Sequence, residues 1–396
     1  MHDTVRSHER STPPGGRVVL AHDWLCGVRG GERVLDRLAS VISAEAEVVA
    51  LLVMFDDGRS VTPALDRLPR VVSDVGCVGP ASGGLRRWLL PAYPMIVQNL
   101  GRKLEALHDR APIDLVVSTS SAAIKNLPTP AGVPHVCYLH TPPRYVWSQV
   151  AEYERAGGLR ALGLRLARER YKDWDRAGTA NVTRMVANSA HTAALARACY
   201  GVEPRVIWPP VRTAMFGDAR GPLGATRDGS WLVVCALEPY KRVDLAVCAA
   251  NRAGASLVVV GEGSEGHRLR AMAGPTVRFV GRVDDEELMR RYASASVLIF
   301  PQVEDFGIVA VEALASGLPV VARRAGGAME IVTEGVTGAF FDVPTVDSLL
   351  DAVASCPRNV DEACQRAAER FSEDRFDREV LAELRPYLPG RTYLPS

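Results

Sequence analysis

Two glutamates, Glu304 and Glu312, bracket a glycine, Gly307, in the run PQVEDFGIVAVEALASGLPVV at residues 301–321. The apolar run SVLIFP ahead of it reads as a strand, and Gly307 then opens a helix. The N–H groups and dipole at a helix start favour a phosphate, and glycine lets the backbone come close to it. Glu312 falls about one turn into that helix, on the face shared with Ile308, where its carboxylate can meet the same ligand. A carboxylate accepts two hydrogen bonds and so suits a diol such as a ribose. His140 ends another apolar run, HVCYLH, and strand ends in parallel sheets line ligand crevices. Two adjacent glycines, Gly30 and Gly31, lie in the loop CGVRGGER. An ordinary tight turn and a close backbone approach both explain such a pair. No D-x-D motif or His/Asp ligand cluster accompanies these residues, so the pattern asks for no metal ion.

Positioning them requires strands alternating with helices. RVVLAHDW reads as a buried strand, followed by the glycine loop and a helix through VLDRLASVI; further strands are expected at AEVVALLVMF, DLVVSTS and HVCYLH. MVANSAHTAALARACYG then reads as strand, turn and helix, closing on Gly201. After the proline-stiffened break VIWPPVR the alternation restarts with WLVVCAL, SLVVVGEG, VRFVG, SVLIFP and LPVVAR. Asp284 and Glu287 form a D-x-x-E capping signal for a helix through Leu288–Ala295. This is the pattern of βαβ units with parallel sheets. It predicts an α/β chain with a disordered tail over 1–16, one Rossmann-like domain over 17–207 and a second over 208–372. A helix over 373–396 would cross back to the first domain. Two such domains facing one another would leave a cleft between the carboxyl ends of their strands.

Composition narrows the class. The chain has 396 residues, 47% of them hydrophobic and 23% charged, an ordinary globular balance over two or three domains. A net charge of +1 gives no nucleic-acid signature. The eight cysteines show no C-x-x-C spacing and several sit in apolar runs, so they read as buried thiols in a reducing compartment. The polar start lacks the apolar core of a signal peptide, and no stretch reaches the roughly 18 apolar residues of a bilayer span. A cytoplasmic protein is expected.

On the residues quoted, the sequence closely resembles the family-4 glycosyltransferases of the GT-B fold. Their E-x7-E signature appears as Glu304 and Glu312, with E-x-F-G as Glu304-Asp305-Phe306-Gly307 and A-S-G-x-P-V-V following. The resemblance implies that Glu304 holds the donor sugar hydroxyls, that Glu312 binds the nucleotide ribose, and that the N–H groups of Phe306, Gly307 and Ile308 meet the diphosphate. ALEPYKRVDLAV, 236–247, resembles the segment whose lysine neutralises that diphosphate, a role falling on Lys241. Many members carry an arginine five positions earlier, where this chain has Ala236. Arg242 could supply the missing charge or be a solvated structural residue. VVVGEG, FVGRV and AGGAMEIV match too, with Glu330 ordering nearby loops. In the first half, RGGERVL resembles the glycine loop that approaches donor phosphates or acceptor, and YLHTPPRYVW places His140 close to the donor sugar and Arg144 toward the acceptor.

The resemblance implies a retaining, metal-independent hexosyl transfer with no cofactor beyond the nucleotide-sugar co-substrate. HDWL, YLHTPPRYVW and PYKRVDLAV look like bacterial GDP-mannose-dependent enzymes acting on lipid-linked or other glycan acceptors. A peripheral membrane contact at the inner face of the plasma membrane fits two segments. GGLRRWLLPAYPMIVQNLGRKLEAL interleaves Trp88, Leu89, Leu90 and Tyr93 with Arg86, Arg87, Arg102 and Lys103, and RALGLRLARERYKDWDR adds arginines. Packed helices with a solvated face fit them equally. A nucleotide-sugar epimerase or hydrolase, or a non-catalytic nucleotide-sugar-binding protein, are the competing readings.

Overall fold

The computed structural model describes residues 15–27, 30–76, 89–147, 158–217 and 227–389, with the backbone alone over 158–167. The expected tail up to residue 14, Cys77, Arg86, Arg87 and Trp88 lie outside the described residues. Contacts divide the chain into two compact units. The first is Met1–Ala187, Leu195–Arg205 and Asp377–Ser396; the second is Asn188–Ala194 and Val206–Phe376.

The first unit holds a seven-stranded sheet. Its strands in chain order are β1 (Arg17–Leu25), β2 (Glu47–Asp56), β3 (Arg70–Val72), β4 (Leu115–Ser120), β5 (His135–Leu139), β6 (Arg184–Ala187) and β7 (Arg205–Val206). They lie in the order β3-β2-β1-β4-β5-β6-β7. The pairs from β3 through to β6 are parallel. The middle of β1, VVLAHD, is buried on both faces, as the apolar run requires of a central strand. Asp23 in that strand accepts N–H bonds from Ser121, Ala122, Ala123 and Ile124 at 2.6–2.9 Å, so one buried carboxylate pins the loop leaving β4. Lys125 and Asp175, both fully buried, pair at 2.9 Å. Trp147 Nε1 and Tyr200 Oη donate to that same aspartate at 2.7 and 2.8 Å, which satisfies a charge that burial would otherwise make costly.

The second unit holds β8 (Trp231–Val234), β9 (Leu257–Val260), β10 (Val277–Gly281), β11 (Val297–Phe300), β12 (Val320–Arg323) and β13 (Gly338–Phe341). Their order is β10-β9-β8-β11-β12-β13, all parallel. One face packs Val258, Leu298, Phe300, Val320 and Phe371, the other Trp231, Val259, Ile299, Val321 and Phe341. Asp284 caps the helix Asp285–Ser294, its carboxylate accepting from Glu287 N–H at 2.8 Å. That is the cap expected from the D-x-x-E signal, and the helix ends at Ser294.

Two sequence expectations change, and two strands go unread in the sequence. Gly30 and Gly31 are not in a loop: the helix Gly30–Ser43 begins at Gly30, so both form its first turn. The sheet edges β3 and β13 carry too short or too interrupted an apolar run to stand out. Leu90 and Tyr93 belong to the core, not to an interfacial surface. Tyr93 is 2% exposed, and its ring packs against Phe55 and Tyr171 at 5.7 and 6.5 Å. Lys103 bonds the Val72 carbonyl and pairs with Asp74. Among the described residues no helix is long and apolar enough to cross a membrane.

Candidate active site

In an open parallel sheet, ligands bind where the strand order reverses, outside the carboxyl ends of the two strands concerned. In the second unit that point lies between β8 and β11. The loop leaving β8 carries Lys241 and the loop leaving β11 carries Glu304, and the two side chains form an ion pair through Lys241 Nζ and Glu304 Oε1. Both are mostly buried, at 13% and 17% side-chain exposure. Burial works against the charge on Lys241, but Glu304 and Tyr240 outweigh it and hold the ammonium above its ordinary range. A phosphate arriving here would compete with Glu304 for that ammonium.

Gly307 caps the helix Ile308–Ala315 with φ 114° and ψ 58°, a conformation closed to ordinary L-residues. The turn lets the chain leave the Glu304 loop and enter the helix at once; Ala310 N–H donates to Gly307 O at 2.9 Å, and the N–H groups ahead of it have no helical carbonyl to meet. Phe306, 3% exposed, anchors the turn by packing its ring edge-on against Phe371 at 5.5 Å. The next strand's loop then closes on this one. A Cβ on Gly326 would lie 2.3 Å from the Glu304 carbonyl, and one on Gly327 would lie 2.2 Å from that of Phe306. Gly327 N–H instead donates to Glu304 O at 2.9 Å.

Glu312 lies in the same helix, as expected, but is 3% exposed and accepts from Tyr292 Oη at 3.0 Å. Tyr292 had no sequence signal; it is set by the helix Asp285–Ser294 that ends at β11. Arg242 adopts the left-handed region (φ 52°) at the start of the helix Val243–Ala253, and its guanidinium bonds Asp244 at 3.1 and 3.3 Å. It thus points along its own helix, toward Asp244. Glu330 accepts from Ala190 N–H at 2.9 Å, His191 N–H at 3.2 Å and Trp208 Nε1 at 2.8 Å. Its carboxylate orders the chain on either side of the strand-to-strand passage at 188–208.

In the first unit the strand order reverses between β1 and β4. His140 follows β5, its N–H donating to Ser120 O at 2.8 Å. Burial pushes its imidazole down to about 3, with the neighbouring His22 adding to the effect. The ring is therefore neutral at physiological pH and can bond hydroxyls without carrying charge. Gly31 sits against it: a Cβ there would lie 3.6 Å from His140 Nε2 and 3.8 Å from His22 Cε1. Arg144 is half-buried in the turn after β5. Among the described residues no three His, Cys, Asp or Glu side chains stand together as a metal site, and no two of the described cysteines form a disulfide.

Two family models match the chain in tandem: Glycosyltransferase Family 4 over residues 28–214 and Glycosyl transferases group 1 over 224–373. A D-inositol 3-phosphate glycosyltransferase of Acidothermus cellulolyticus is 38% identical over 188 residues, 40% of this chain and 42% of that protein. A GDP-mannose-dependent alpha-mannosyltransferase of Corynebacterium glutamicum is 33% identical over 155 residues, 39% of this chain and 37% of that one. The chain thus spans about two fifths of the length of these curated relatives. The solved sucrose-phosphate synthase of Thermosynechococcus elongatus shares the fold, with a TM-score of 0.71 at 18% identity over 94% of this chain and 98% of that one. With parallel sheets in both units and the two models in succession, the chain belongs to the family-4 glycosyltransferases and has the GT-B fold.

Proposed function

We propose that this protein is a retaining hexosyltransferase that moves mannose from GDP-mannose onto a lipid-linked or other glycan acceptor without a metal ion. The observation that carries the reading is the Lys241–Glu304 pair beside the Gly307 helix start, at the β8/β11 reversal. Lys241 and the N–H groups of Phe306, Gly307 and Ile308 stabilise charge growing on the leaving diphosphate. Glu304 holds the sugar hydroxyls, and Glu312, steadied by Tyr292, receives the ribose. In the first unit the neutral imidazole of His140, with Gly31 beside it, bonds sugar hydroxyls, and Arg144 serves the acceptor. The leaving phosphate takes the proton of the incoming hydroxyl on the same face of the sugar, so configuration is retained. The enzyme's part is to orient both reactants and to meet the developing charge.

The name of the Corynebacterium glutamicum relative supports GDP-mannose as donor. A lipid-linked acceptor would bring the enzyme to the cytoplasmic face of the plasma membrane. The test is a donor panel: GDP-mannose, UDP-glucose and UDP-N-acetylglucosamine, titrated calorimetrically with EDTA present, followed by mass spectrometry of the released or transferred sugar. Binding and slow sugar release from GDP-mannose alone is the expected result. Turnover of a uridine donor overturns the donor assignment, and loss of turnover in EDTA overturns metal independence. No binding to any nucleotide sugar overturns the whole reading.

A further inference from the structure

His22 lies on β1 in register with Thr119 of β4, next to the strand-order reversal of the first unit. The residue is 3% exposed. Its Nδ1 lies 2.6 Å from Thr119 Oγ1 and 3.2 Å from Thr119 O. A carbonyl oxygen can only accept, so these contacts favour the tautomer with hydrogen on Nδ1, leaving a lone pair on Nε2. That Nε2 is buried and has no hydrogen-bond partner. An unsatisfied buried acceptor is costly, and persists where a ligand is to complete it.

The direction of the ring says which ligand. His22 Cε1, the carbon next to Nε2, and His140 Nε2 approach the same point, the missing side chain of Gly31, to 3.8 and 3.6 Å. Three segments therefore converge there: the middle of β1, the first turn of the helix Gly30–Ser43, and the residue after β5. We propose that His22 is a second substrate-binding imidazole, its Nε2 accepting a hydrogen bond from a sugar hydroxyl that also meets His140. The inference rests on the glycosyltransferase reading and extends its substrate contacts to a residue outside the family signature. A hydroxyl suits two adjoining imidazoles because it donates to one while accepting from the other.

The test uses two near-isosteric variants of the full chain, with the donor that wild-type protein turns over in the panel above. His22→Asn keeps an amide donor for Thr119 but has no atom at the Nε2 position. His22→Gln restores an acceptor there. Steady-state turnover, calorimetric titration with the nucleotide diphosphate, and thermal melting are measured for each. The expected result is a roughly ten- to hundredfold loss of kcat/KM in His22→Asn, part of it recovered in His22→Gln, with nucleotide diphosphate affinity unchanged in both. Wild-type turnover in a folded His22→Asn overturns the inference and leaves the glycosyltransferase reading standing. A parallel loss of nucleotide diphosphate affinity, or a loss explained by melting, also overturns it, because His22 would then act through the fold. If wild-type protein turns over no donor, both readings fall together.

Discussion

Adding one methyl group at Gly31 separates the substrate role of this position from its role in the fold. Gly31 lies in the first turn of the helix Gly30–Ser43 and is not among the glycines with positive φ, so alanine fits its backbone. The new Cβ would meet nothing closer than 3.6 Å, which is ordinary van der Waals contact. Alanine is favoured over glycine in helices by about 0.5–1 kcal/mol, so the variant should be as stable as the parent or slightly more so. For a unit of this size that is a rise in Tm of no more than about 4 °C. The same methyl occupies the space between His140 Nε2 and the Cε1 edge of His22, where a hydroxyl would be bound. Turnover of the donor should fall by about tenfold or more, the equivalent of at least 1.4 kcal/mol, because a misplaced hydroxyl loses its hydrogen bonds. Melting by circular dichroism and initial rates by mass spectrometry read the two effects separately. Full activity in Gly31→Ala refutes the reasoning, and so does a loss of activity matched by a lower Tm.

Other perturbations probe the same geometry. Lys241→Ala removes the ammonium meant for the diphosphate and should weaken nucleotide diphosphate binding about 10- to 100-fold by calorimetry, the range of a hydrogen bond to a charged group. Tyr292→Phe removes the donor at 3.0 Å from Glu312 and should loosen the ribose contact, seen as a higher Kd for the nucleoside diphosphate with little change in kcat. Glu330→Ala leaves Ala190 N–H, His191 N–H and Trp208 Nε1 without their acceptor, and should lower stability by about 1–3 kcal/mol while nucleotide diphosphate affinity stays the same. Acid should destabilise the first unit. Burial lowers His135 and His140 from 6.5 to about 4 and about 3, so the unfolded chain takes up protons first and stability falls as pH drops below 6.5. At pH 5.5 the loss is on the order of 1 kcal/mol per histidine, and thermal melts between pH 7.5 and 5.5 measure it.

Much of the fold was legible because central parallel strands are buried on both faces and leave long apolar runs: β1, β2, β4 and β11 all read directly. The edge strands β3 and β13 were not, since three or four residues such as RVV or GAFF have no periodicity of their own. Gly30 and Gly31 were misplaced because glycine signals a turn in any sequence, whereas here it begins a helix. Tyr93 shows the limit of composition: an aromatic beside arginines fits a membrane surface, yet packing against Phe55 takes it inside. In the site, Glu304, Gly307 and Glu312 stood out because strand, loop and helix start occur in one contiguous run. The salt bridge from Glu304 to Lys241 spans 63 residues and only the sheet order could reveal it. His22 stood in the sequence only as part of HDWL, with no role of its own, because its meaning depends on Thr119, 97 positions away, and on an unfilled acceptor.

In the proposed function, the β8/β11 reversal holds a nucleotide sugar through Lys241 on the phosphates and Glu304 on the sugar. Calorimetry of Glu304→Gln with the nucleotide diphosphate, set beside its turnover of the intact donor, tests this most directly. Glu304 pairs with the Lys241 ammonium, so neutralising the carboxylate frees the lysine for phosphate. The expected result is nucleotide diphosphate affinity equal to or tighter than that of the wild type, with turnover lower by about a hundredfold or more. A variant that loses nucleotide diphosphate binding, or that turns over donor at the wild-type rate, contradicts it.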